Sequence, residues 1–264
     1  SKAMKVIPVA IVTGASRGIG KHILKKLSSE GLSCIAIASS EESISKINVN
    51  DHLYFTREGQ RHRSLAIDFA QWPQWASQAI YPGIDHYDNR PGCFSLFDLW
   101  THEGVAYRPN LLVNCAGVSQ DSLSIRTTPE AMSNIMKVNF MSSVSLTNLT
   151  MKQMIKDRKH QCEISPCIIN ISSILGISEL AVPGTSVYAA SKAALSQYTK
   201  VLSKEVEPWQ IRVSSIAPGL VRGTDMIREL SQDAQYKLQN MISGPNVDSP
   251  EQIATQVWDI YKSL

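Results

Sequence analysis

A tyrosine and a lysine four positions apart, Tyr188 and Lys192, are the pair of side chains in this sequence best suited to acid–base chemistry. They stand in the segment VYAASKAAL, and on a helix this spacing places both side chains on one face. A phenol beside an ammonium group is a proton donor whose pKa is lowered by the neighbouring charge. Because Tyr-x3-Lys pairs are common, the pair indicates a site only together with other polar residues.

Polar residues also end two of the apolar runs. The run IINISS ends at Ser172 and Ser173, and the run LLVNCAG ends at Asn114–Gly117. In open parallel sheets, ligands bind outside the carboxyl ends of the strands. These residues are therefore candidates to complete the site of Tyr188 and Lys192.

Asn139 interrupts a helical run that follows the capping signature Thr127–Glu130. Asparagine is unfavourable within a helix because its side chain competes for backbone hydrogen bonds. Its presence there indicates a local role.

A glycine-rich turn near the beginning of the chain predicts a phosphate-binding site. The segment TGASRGIG follows the buried strand pattern Val9–Val12 and precedes a helical pattern over Lys21–Leu27. Gly14 permits a tight turn, Gly18 lets a ligand approach the backbone, and Gly20 lets the helix pack on the strand. The helix N-terminus then offers free N–H groups to a pyrophosphate.

Six apolar runs alternate with helical patterns along the chain. The runs are Val9–Val12, Cys34–Ala38, Leu65–Ile67, Leu111–Cys115, Ile168–Ile171 and Val213–Ile216. This alternation predicts an α/β fold, a Rossmann-like doubly wound parallel sheet of six strands with helices on both faces. No repeat or linker divides the chain, so we expect one domain over residues 4–264.

Composition limits the classes of function. The 264 residues carry a net charge of +3 from 26 basic and 23 acidic side chains, and 43% are apolar. So balanced a charge does not favour a nucleic-acid partner, and no apolar run is long enough for a membrane span. The five cysteines show no zinc spacing, so we expect no metal, and their odd number is typical of a reducing compartment. No removable presequence is visible.

An aromatic-rich insertion over about residues 70–109 does not fit the alternating pattern. Nine large aromatic side chains lie between Asp68 and Asn110, and Pro73, Pro82 and Pro91 interrupt the first eight. We expect an extended excursion whose rings pack on the body of the protein. A substrate lid or a partner surface is the alternative.

Together these motifs resemble those of the short-chain dehydrogenase/reductase superfamily. TGASRGIG, NCAG, Asn139, Ser173, the Tyr188–Lys192 pair and Pro218-Gly219 match its motifs in order, over nearly the whole chain. Within the superfamily, the chain is similar to the 3-oxoacyl-[acyl-carrier-protein] reductases. The aromatic insertion resembles the fungal mitochondrial branch, which implies a mitochondrial matrix location, or otherwise a cytoplasmic one.

The resemblance implies a role for each catalytic residue. Tyr188 would protonate the keto oxygen as hydride arrives from the nicotinamide, and Lys192 would lower the Tyr188 pKa and hold the nicotinamide ribose. Ser173 would hydrogen-bond the substrate oxygen, and Asn139 would anchor a water that relays protons to Lys192. Because Ser173 and Tyr188 are 15 positions apart, two more than is usual in the family, Ser172 is an alternative to Ser173.

The resemblance also implies the cofactor contacts. The glycines of the turn would hold the pyrophosphate, Asp68 would bind the adenine amino group, and Asn114 and Gly117 would lie along the adenine ribose. The full set is Gly14, Ser16, Arg17, Gly18, Ile19, Gly20, Ser39, Asp68, Asn114, Ala116, Gly117, Tyr188, Lys192, Pro218, Gly219 and Thr224. The segment before Thr224 has one residue more than is usual, which weakens the assignment of that contact.

The cofactor is predicted to be NADPH. An NAD enzyme usually places a carboxylate at the end of the second strand to accept the ribose hydroxyls. Here the run Cys34–Ala38 ends in Ser39 and Ser40. Ser39 would hydrogen-bond a 2′-phosphate, and Arg17 in the glycine turn would supply positive charge.

The leading interpretation of function is NADPH-dependent reduction of 3-oxoacyl-[acyl-carrier-protein] to the 3-hydroxyacyl form in fatty acid synthesis. The alternatives are a carbonyl or quinone reductase of the same mechanism, and a weakly catalytic subunit that binds cofactor. The acidic acyl carrier protein would dock on basic residues near the cleft. The candidates are Arg126, Lys152, Lys156, Arg158 and Lys159.

We expect a homodimer or a homotetramer. The resemblance implies one contact through helices over about Pro129–Asp157 and Ser186–Glu207, and a second contact that relies on a C-terminal strand. No strand pattern follows the helical stripe that begins at Ile253. We therefore expect the usual seventh strand to be absent and the second contact to be altered or weakened.

Overall fold

Seven strands form one sheet in the computed structural model, which describes residues 5–78, 101–159, 162–219, 232–233, 236 and 249–263. The strands are β1 (Lys5–Thr13), β2 (Ser33–Ala38), β3 (His62–Ala66), β4 (Thr101–His102), β5 (Val105–Asn114), β6 (Cys167–Ile171) and β7 (Arg212–Ile216). Six of them run parallel in the order β3-β2-β1-β5-β6-β7, and the short β4 pairs antiparallel with β5. This is the doubly wound order, with its switch point between β1 and β5. The predicted fold class is confirmed.

Helices cover both faces of the sheet. They are α1 (Gly18–Ser29), α2 (Glu41–Ser45), α3 (Val49–His52), α4 (Gln74–Gln78), α5 (Pro129–Met136), α6 (Ser142–Lys156), α7 (Ile174–Ile177), α8 (Ser186–Glu205) and α9 (Pro250–Lys262). Successive residues of a strand point to opposite faces. Accordingly, Ile11 of β1 belongs to a core cluster with Leu146 of α6 and Leu202 of α8, whereas Val12 belongs to a second cluster with Leu24 of α1.

The side chain of Arg212 connects the C-terminal end of α9 to the sheet through hydrogen bonds. Arg212 of β7 donates hydrogen bonds to the backbone oxygens of Ile260 at 2.8 Å, Tyr261 at 2.8 Å and Ser165 at 2.7 Å. The last carbonyl groups of a helix have no intrahelical partners, so this side chain satisfies two of them. Within the described part of the chain, no strand follows α9.

Two tryptophans at the start of the aromatic insertion attach it to the body of the protein. The indole N–H of Trp72 donates to the hydroxyl of Ser145 at 2.9 Å, and that of Trp75 donates to Ser142 at 3.0 Å. Both serines belong to α6, so these two rings pack on the helices that cover the sheet, as expected for the insertion. Residues 79–100, which carry most of its other aromatic side chains, lie outside the described residues.

His62, the first residue of β3, is buried between the backbone of Cys34 in β2 and the backbone of Tyr54. Its Nδ1 accepts a hydrogen bond from the N–H of Cys34 at 3.1 Å, and its Nε2 lies 2.7 Å from the carbonyl oxygen of Tyr54. Because Nδ1 accepts and Nε2 faces an acceptor, the neutral ring carries its proton on Nε2. Burial lowers the pKa of His62, and the bond to the Tyr54 carbonyl opposes that shift.

Stability should therefore fall as the pH drops below about 6.5, the ordinary histidine pKa. In that range the unfolded chain binds a proton that folded His62 does not, at a cost of at most about 1.4 kcal/mol per pH unit. Above about pH 6.5 the contribution of His62 is complete. Urea unfolding at about pH 7.5 and about pH 5.5 measures the loss, with His62→Gln as the non-titrating comparison. An equal loss of stability in both proteins would contradict this assignment.

Candidate active site

The glycine-rich turn joins β1 to α1 and leaves the start of the helix open to a ligand. Gly14 and Gly18 have positive φ angles of 61° and 58°, a region of backbone space that favours glycine. The N-cap residue of α1, Arg17, makes no side-chain capping bond. The first N–H groups of α1 are thus available to an anion, and the helix dipole favours negative charge there.

Close packing and one threonine hold this turn against the end of β5. A Cβ atom on Gly14 would lie 2.9 Å from the Cα of Ala116, so only glycine fits. The buried hydroxyl of Thr13 accepts hydrogen bonds from the N–H groups of Cys115 at 2.9 Å and Ala116 at 3.0 Å. The carboxyl ends of β1 and β5 are therefore locked together at the switch point, where open α/β sheets bind ligands.

A cleft of about 780 Å³ crosses these strand ends. The predicted site residues that line it are Gly14, Ser16, Arg17, Gly18, Ile19, Gly20, Ser39, Asp68, Ala116, Gly117, Ser173, Tyr188, Lys192, Pro218 and Gly219. Asn114 and Asn139 are not among the lining residues. Thr224 lies outside the described residues. The fold thus brings the glycine turn and the Tyr–Lys pair into one cleft.

Asn114 belongs to a buried network beneath the cleft. Its side chain is almost fully buried, and its amide donates to Thr147 Oγ1 at 2.9 Å and to Asn170 Oδ1 at 2.8 Å. Asn170 in turn donates to Thr199 Oγ1 at 2.9 Å. These bonds tie β5 and β6 to α6 and α8. The amide nitrogen of Asn114 thus has a structural role in the sheet–helix layer, and its predicted place along the adenine ribose stays a prediction.

One turn of α8 brings Tyr188 and Lys192 together in the cleft. Nζ of Lys192 lies 5.9 Å from the centroid of the Tyr188 ring and donates to the carbonyl oxygen of Ile171 at 3.1 Å. Burial lowers the pKa of Lys192 to about 8, and the nearby Cys115 partly offsets this effect. Burial raises the pKa of Tyr188 to about 12, against the opposite effect of a hydrogen bond with Ser173.

The predicted lowering of the Tyr188 pKa is therefore wrong. Both side chains of the pair are buried, and loss of hydration disfavours the phenolate more than nearby groups stabilise it. The phenol keeps its proton at neutral pH. That is the protonation state that a proton donor needs at the start of a reaction.

The structure favours Ser173 over Ser172 as the hydroxyl beside the tyrosine. Both serines line the cleft, but it is a hydrogen bond with Ser173 that opposes the rise of the Tyr188 pKa. The hydroxyl of Ser172 donates to the carbonyl oxygen of Lys192 at 3.1 Å and lies 2.6 Å from the hydroxyl of Ser196. Ser172 thus anchors the end of β6 to α8, and its hydroxyl is already used.

Asn139 lies at the centre of a π-helical turn, Lys137–Met141, that separates α5 from α6. Its Oδ1 accepts the N–H of Val118 at 2.8 Å, and its Nδ2 donates to the carbonyl oxygen of Val118 at 3.0 Å and to Ser191 Oγ at 3.1 Å. Single π-helical turns inside helices are frequent at functional sites. The local role is thus a clamp on the loop after β5, and the water relay to the lysine stays a prediction.

Sequence reasoning missed three polar residues that shape the site, Thr13, Gln120 and Ser191. Thr13 carries a readable signal, because it is the polar residue that ends the first apolar run before the glycine turn. Ser191 stands one position before Lys192 and bonds the carbonyl oxygen of Tyr188 at 2.6 Å. Gln120 stands in a polar loop where no pattern marks it.

A doubly wound sheet with a glycine turn at its switch point and a buried Tyr–Lys pair in the same cleft defines a class, the dinucleotide-dependent oxidoreductases. The family model of the short chain dehydrogenases matches residues 8–78 and 107–235, which is more than half of the sequence. The chain belongs to the short-chain dehydrogenase family.

Curated relatives match almost the whole chain. The 3-oxoacyl-[acyl-carrier-protein] reductase FabG of Aquifex aeolicus is 30% identical over 250 residues, which cover 94% of this chain and 88% of the relative. The reductase of the same name from Chlamydia muridarum is 31% identical over 252 residues, with 96% and 89% covered. Carbonyl reductase family member 4 of Xenopus laevis is 29% identical over 255 residues, with 97% and 91% covered.

A solved structure confirms the fold independently. The structure of 4-hydroxyisoleucine dehydrogenase complexed with NADH superposes with a TM-score of 0.70 at 21% identity, covering 96% of this chain and 90% of that one. Such a distant likeness supports the architecture alone. Among the described residues, no helix is long and apolar enough to cross a membrane, and no three His, Cys, Asp or Glu side chains gather as a metal site requires.

Proposed function

We propose that this protein is an NADPH-dependent reductase of 3-oxoacyl groups carried on acyl carrier protein, with Tyr188 as the proton donor. The observation that carries the proposal is the cleft in which Ser173, Tyr188 and Lys192 lie beyond the glycine turn. The substrate class is supported by two relatives that are named for this reaction and are 30% and 31% identical over nearly the full chain.

The residues of the cleft fit a nicotinamide dinucleotide. The uncapped start of α1 and the side chain of Arg17 suit a pyrophosphate. Asp68, whose Oδ1 accepts the N–H of Ala70 at 3.0 Å, lines the cleft and would meet the adenine amino group. A Cβ atom on Gly117 would lie 3.5 Å from Lys192 Nζ, so glycine keeps the approach to the ammonium open for a ribose hydroxyl.

The bound cofactor would supply the hydride, and this chain's own residues supply the proton. The Tyr188 hydroxyl, held by Ser173, donates its proton to the carbonyl oxygen that becomes the alcohol. Ser173 also hydrogen-bonds that oxygen and fixes its position. Below about pH 8, Lys192 carries a positive charge that favours transfer of the proton away from Tyr188. Asn139 holds the loop after β5 in place beside them.

The preference for NADPH depends on the absence of a carboxylate at the end of β2. Replacing Ser39 with aspartate should lower kcat/KM for NADPH at least about tenfold, or ~1.4 kcal/mol, because a carboxylate there repels the 2′-phosphate. Use of NADH should be retained. Initial rates with each cofactor measure the change.

The matched control for this prediction is Ser40→Asp. Ser40 is the N-cap of α2, where its hydroxyl accepts the N–H of Ser43 at 3.1 Å, and aspartate caps a helix equally well. Ser40 does not line the cleft. An equal effect of the two variants on NADPH would show that Ser39 does not face the phosphate.

The expectation that the basic residues Lys152, Lys156, Arg158 and Lys159 lie near the cleft is wrong. They are exposed at the C-terminal end of α6, where Asp157 pairs with Arg108 in the first half of β5, away from the carboxyl strand ends that line the cleft. The acidic carrier is proposed to dock instead at Arg126, which is exposed on the loop after β5. Salt screens attraction between exposed charges, so KM for the carrier substrate should rise severalfold between about 0.02 M and about 0.2 M salt. KM for a small uncharged thioester should stay constant. Equal salt responses of the two substrates would exclude electrostatic docking on this surface.

Reduction of free carbonyl compounds is the second candidate function, because a relative of similar identity is named a carbonyl reductase. Both functions use the same proton donor, so the substrate alone distinguishes them. With NADPH, we expect kcat/KM for a 3-oxoacyl carrier thioester to exceed that for a quinone at least about tenfold. The reverse order would favour the second candidate. The mitochondrial location and the oligomeric state stay predictions.

A further inference from the structure

A buried glutamine outside the predicted site contacts the backbone of the catalytic helix. Gln120 lies in the loop after β5, and only 5% of its surface is exposed. Its Oε1 accepts hydrogen bonds from the N–H groups of Val187 at 2.8 Å and Tyr188 at 3.0 Å. A single side-chain oxygen from another segment thus binds the first turn of α8, at Tyr188 itself.

This contact replaces a cap that α8 does not provide. The N-cap residue Thr185 makes no side-chain capping bond, and its hydroxyl donates instead to the carbonyl oxygen of Val182 at 2.8 Å. The first N–H groups of a helix have no intrahelical acceptor. Without Gln120, two of these groups would lose their partner, and one of them is the buried N–H of Tyr188, the residue that carries the phenol.

The other end of the glutamine amide fixes its orientation. Nε2 of Gln120 donates to the carbonyl oxygen of Ser122 at 2.8 Å and to the hydroxyl of Ser186 at 3.2 Å, and it lies 3.4 Å from the hydroxyl of Thr127. These donor contacts decide which way the amide faces. The acceptor oxygen therefore has one position, directed at the start of α8.

The same loop is held from its other side by Asn139. Val118, two residues before Gln120, exchanges two hydrogen bonds with the Asn139 side chain. Asn139 also donates to Ser191, which bonds the carbonyl oxygen of Tyr188. The backbone of Tyr188 is thus held at its N–H by Gln120 and at its carbonyl by the bonds that lead back to Asn139.

We propose that Gln120 is a positioning residue that caps α8 from the loop after β5 and fixes the place of the Tyr188 phenol. The proposal rests on the proposed role of Tyr188 as proton donor. Gln120 acts only through the backbone of Tyr188. A displacement of about 1 Å in a reacting group costs roughly 100-fold in rate, so a loosened first turn should reduce kcat more than it changes KM.

The test compares two substitutions of Gln120. Gln120→Met keeps the length of the side chain and removes all its hydrogen bonds, and we expect kcat to fall at least about tenfold with KM for NADPH changed less than about twofold. Gln120→Glu keeps an acceptor oxygen for the two N–H groups, and its second oxygen replaces the bond to the Ser122 carbonyl when it is protonated. We expect it to recover part of kcat, and more of it as the pH falls. If Gln120→Met does not fold, Gln120→Asn, which withdraws the oxygen by one methylene, takes its place.

The chain offers a matched control in Gln60. It is 6% exposed, its Oε1 accepts the N–H groups of Thr56 at 2.7 Å and Arg57 at 3.2 Å, and its Nε2 donates to two carbonyl oxygens. Gln60 does not line the cleft. Gln60→Met should lower the melting temperature as Gln120→Met does and leave kcat unchanged.

Three results would overturn the proposal: wild-type kcat in Gln120→Met, a Gln120→Glu variant no faster than Gln120→Met, or an equal loss of kcat in Gln60→Met. The proposed function fails separately, through full activity of Tyr188→Phe. If Tyr188→Phe is inactive and Gln120→Met retains wild-type kcat, only the positioning role is wrong.

Discussion

Replacing Tyr188 with phenylalanine should reduce kcat by about 10²–10⁴-fold, the usual contribution of a general acid. The substitution removes one hydroxyl and leaves the buried ring in place. The melting temperature and the dissociation constant for NADPH should therefore change little. Steady-state kinetics, thermal unfolding and cofactor fluorescence measure the three quantities on one preparation.

Tyr198→Phe is the matched control for this substitution. Tyr198 stands in the same helix, and burial also raises its pKa to about 12, but it does not line the cleft. Its variant should keep wild-type kcat. Near wild-type turnover by Tyr188→Phe would contradict the assignment of the proton donor.

Replacing Gly20 with alanine should abolish cofactor binding at the concentrations that saturate the wild-type protein. A Cβ atom on Gly20 would overlap the carbonyl oxygen of Gly14 and lie 2.7 Å from its carbonyl carbon. Both neighbours are backbone atoms of the phosphate-binding turn, so the turn itself must move. We expect the dissociation constant for NADPH to rise at least about 100-fold, because the backbone N–H groups at the start of α1 would no longer point together at the pyrophosphate.

Gly104→Ala separates this effect from a general cost of losing a glycine. Gly104 has a φ of 78°, and a Cβ atom there would meet nothing within 4 Å. Its substitution costs only backbone strain, about 1–2 kcal/mol, and should leave NADPH binding unchanged. Wild-type affinity of Gly20→Ala for NADPH would refute the role of the turn.

The parts of the fold that the sequence predicts are those with a dense local pattern. The central strands β1, β2, β5 and β6 contain long apolar runs because they are covered on both faces, and this can be read from the residues alone. The edge strands β3 and β7 carry polar residues and give a weaker pattern. The first half of β1, from Lys5, pairs with the half of β5 that begins at Val105. These segments are interrupted by polar residues and prolines, and only their long-range pairing makes them strands. The two-residue β4 carries no pattern of its own.

The same distinction between local patterns and long-range contacts applies to the residues of the site. The glycine turn and the Tyr188–Lys192 spacing are local, so their place in one cleft is predictable from the sequence. The pKa of Tyr188 is not predictable in this way, because it depends on burial by elements distant in the chain. The sequence led us to expect a lowered pKa, and the structure raises it. The amide of Asn114 likewise joins α6 and β6 through partners more than 30 positions away. Gln120 binds a helix 67 and 68 positions further on, which no local pattern reveals.

The central claim is that this cleft transfers hydride from NADPH to a carrier-bound 3-oxoacyl group. It is tested most directly by incubating the protein with NADPH and a 3-oxoacyl acyl carrier protein, and by measuring the cofactor consumed and the mass of the carrier. The account predicts one NADPH oxidised for each carrier that gains two hydrogen atoms, and neither change with Tyr188→Phe. NADPH binding without any reduced carrier product would contradict it.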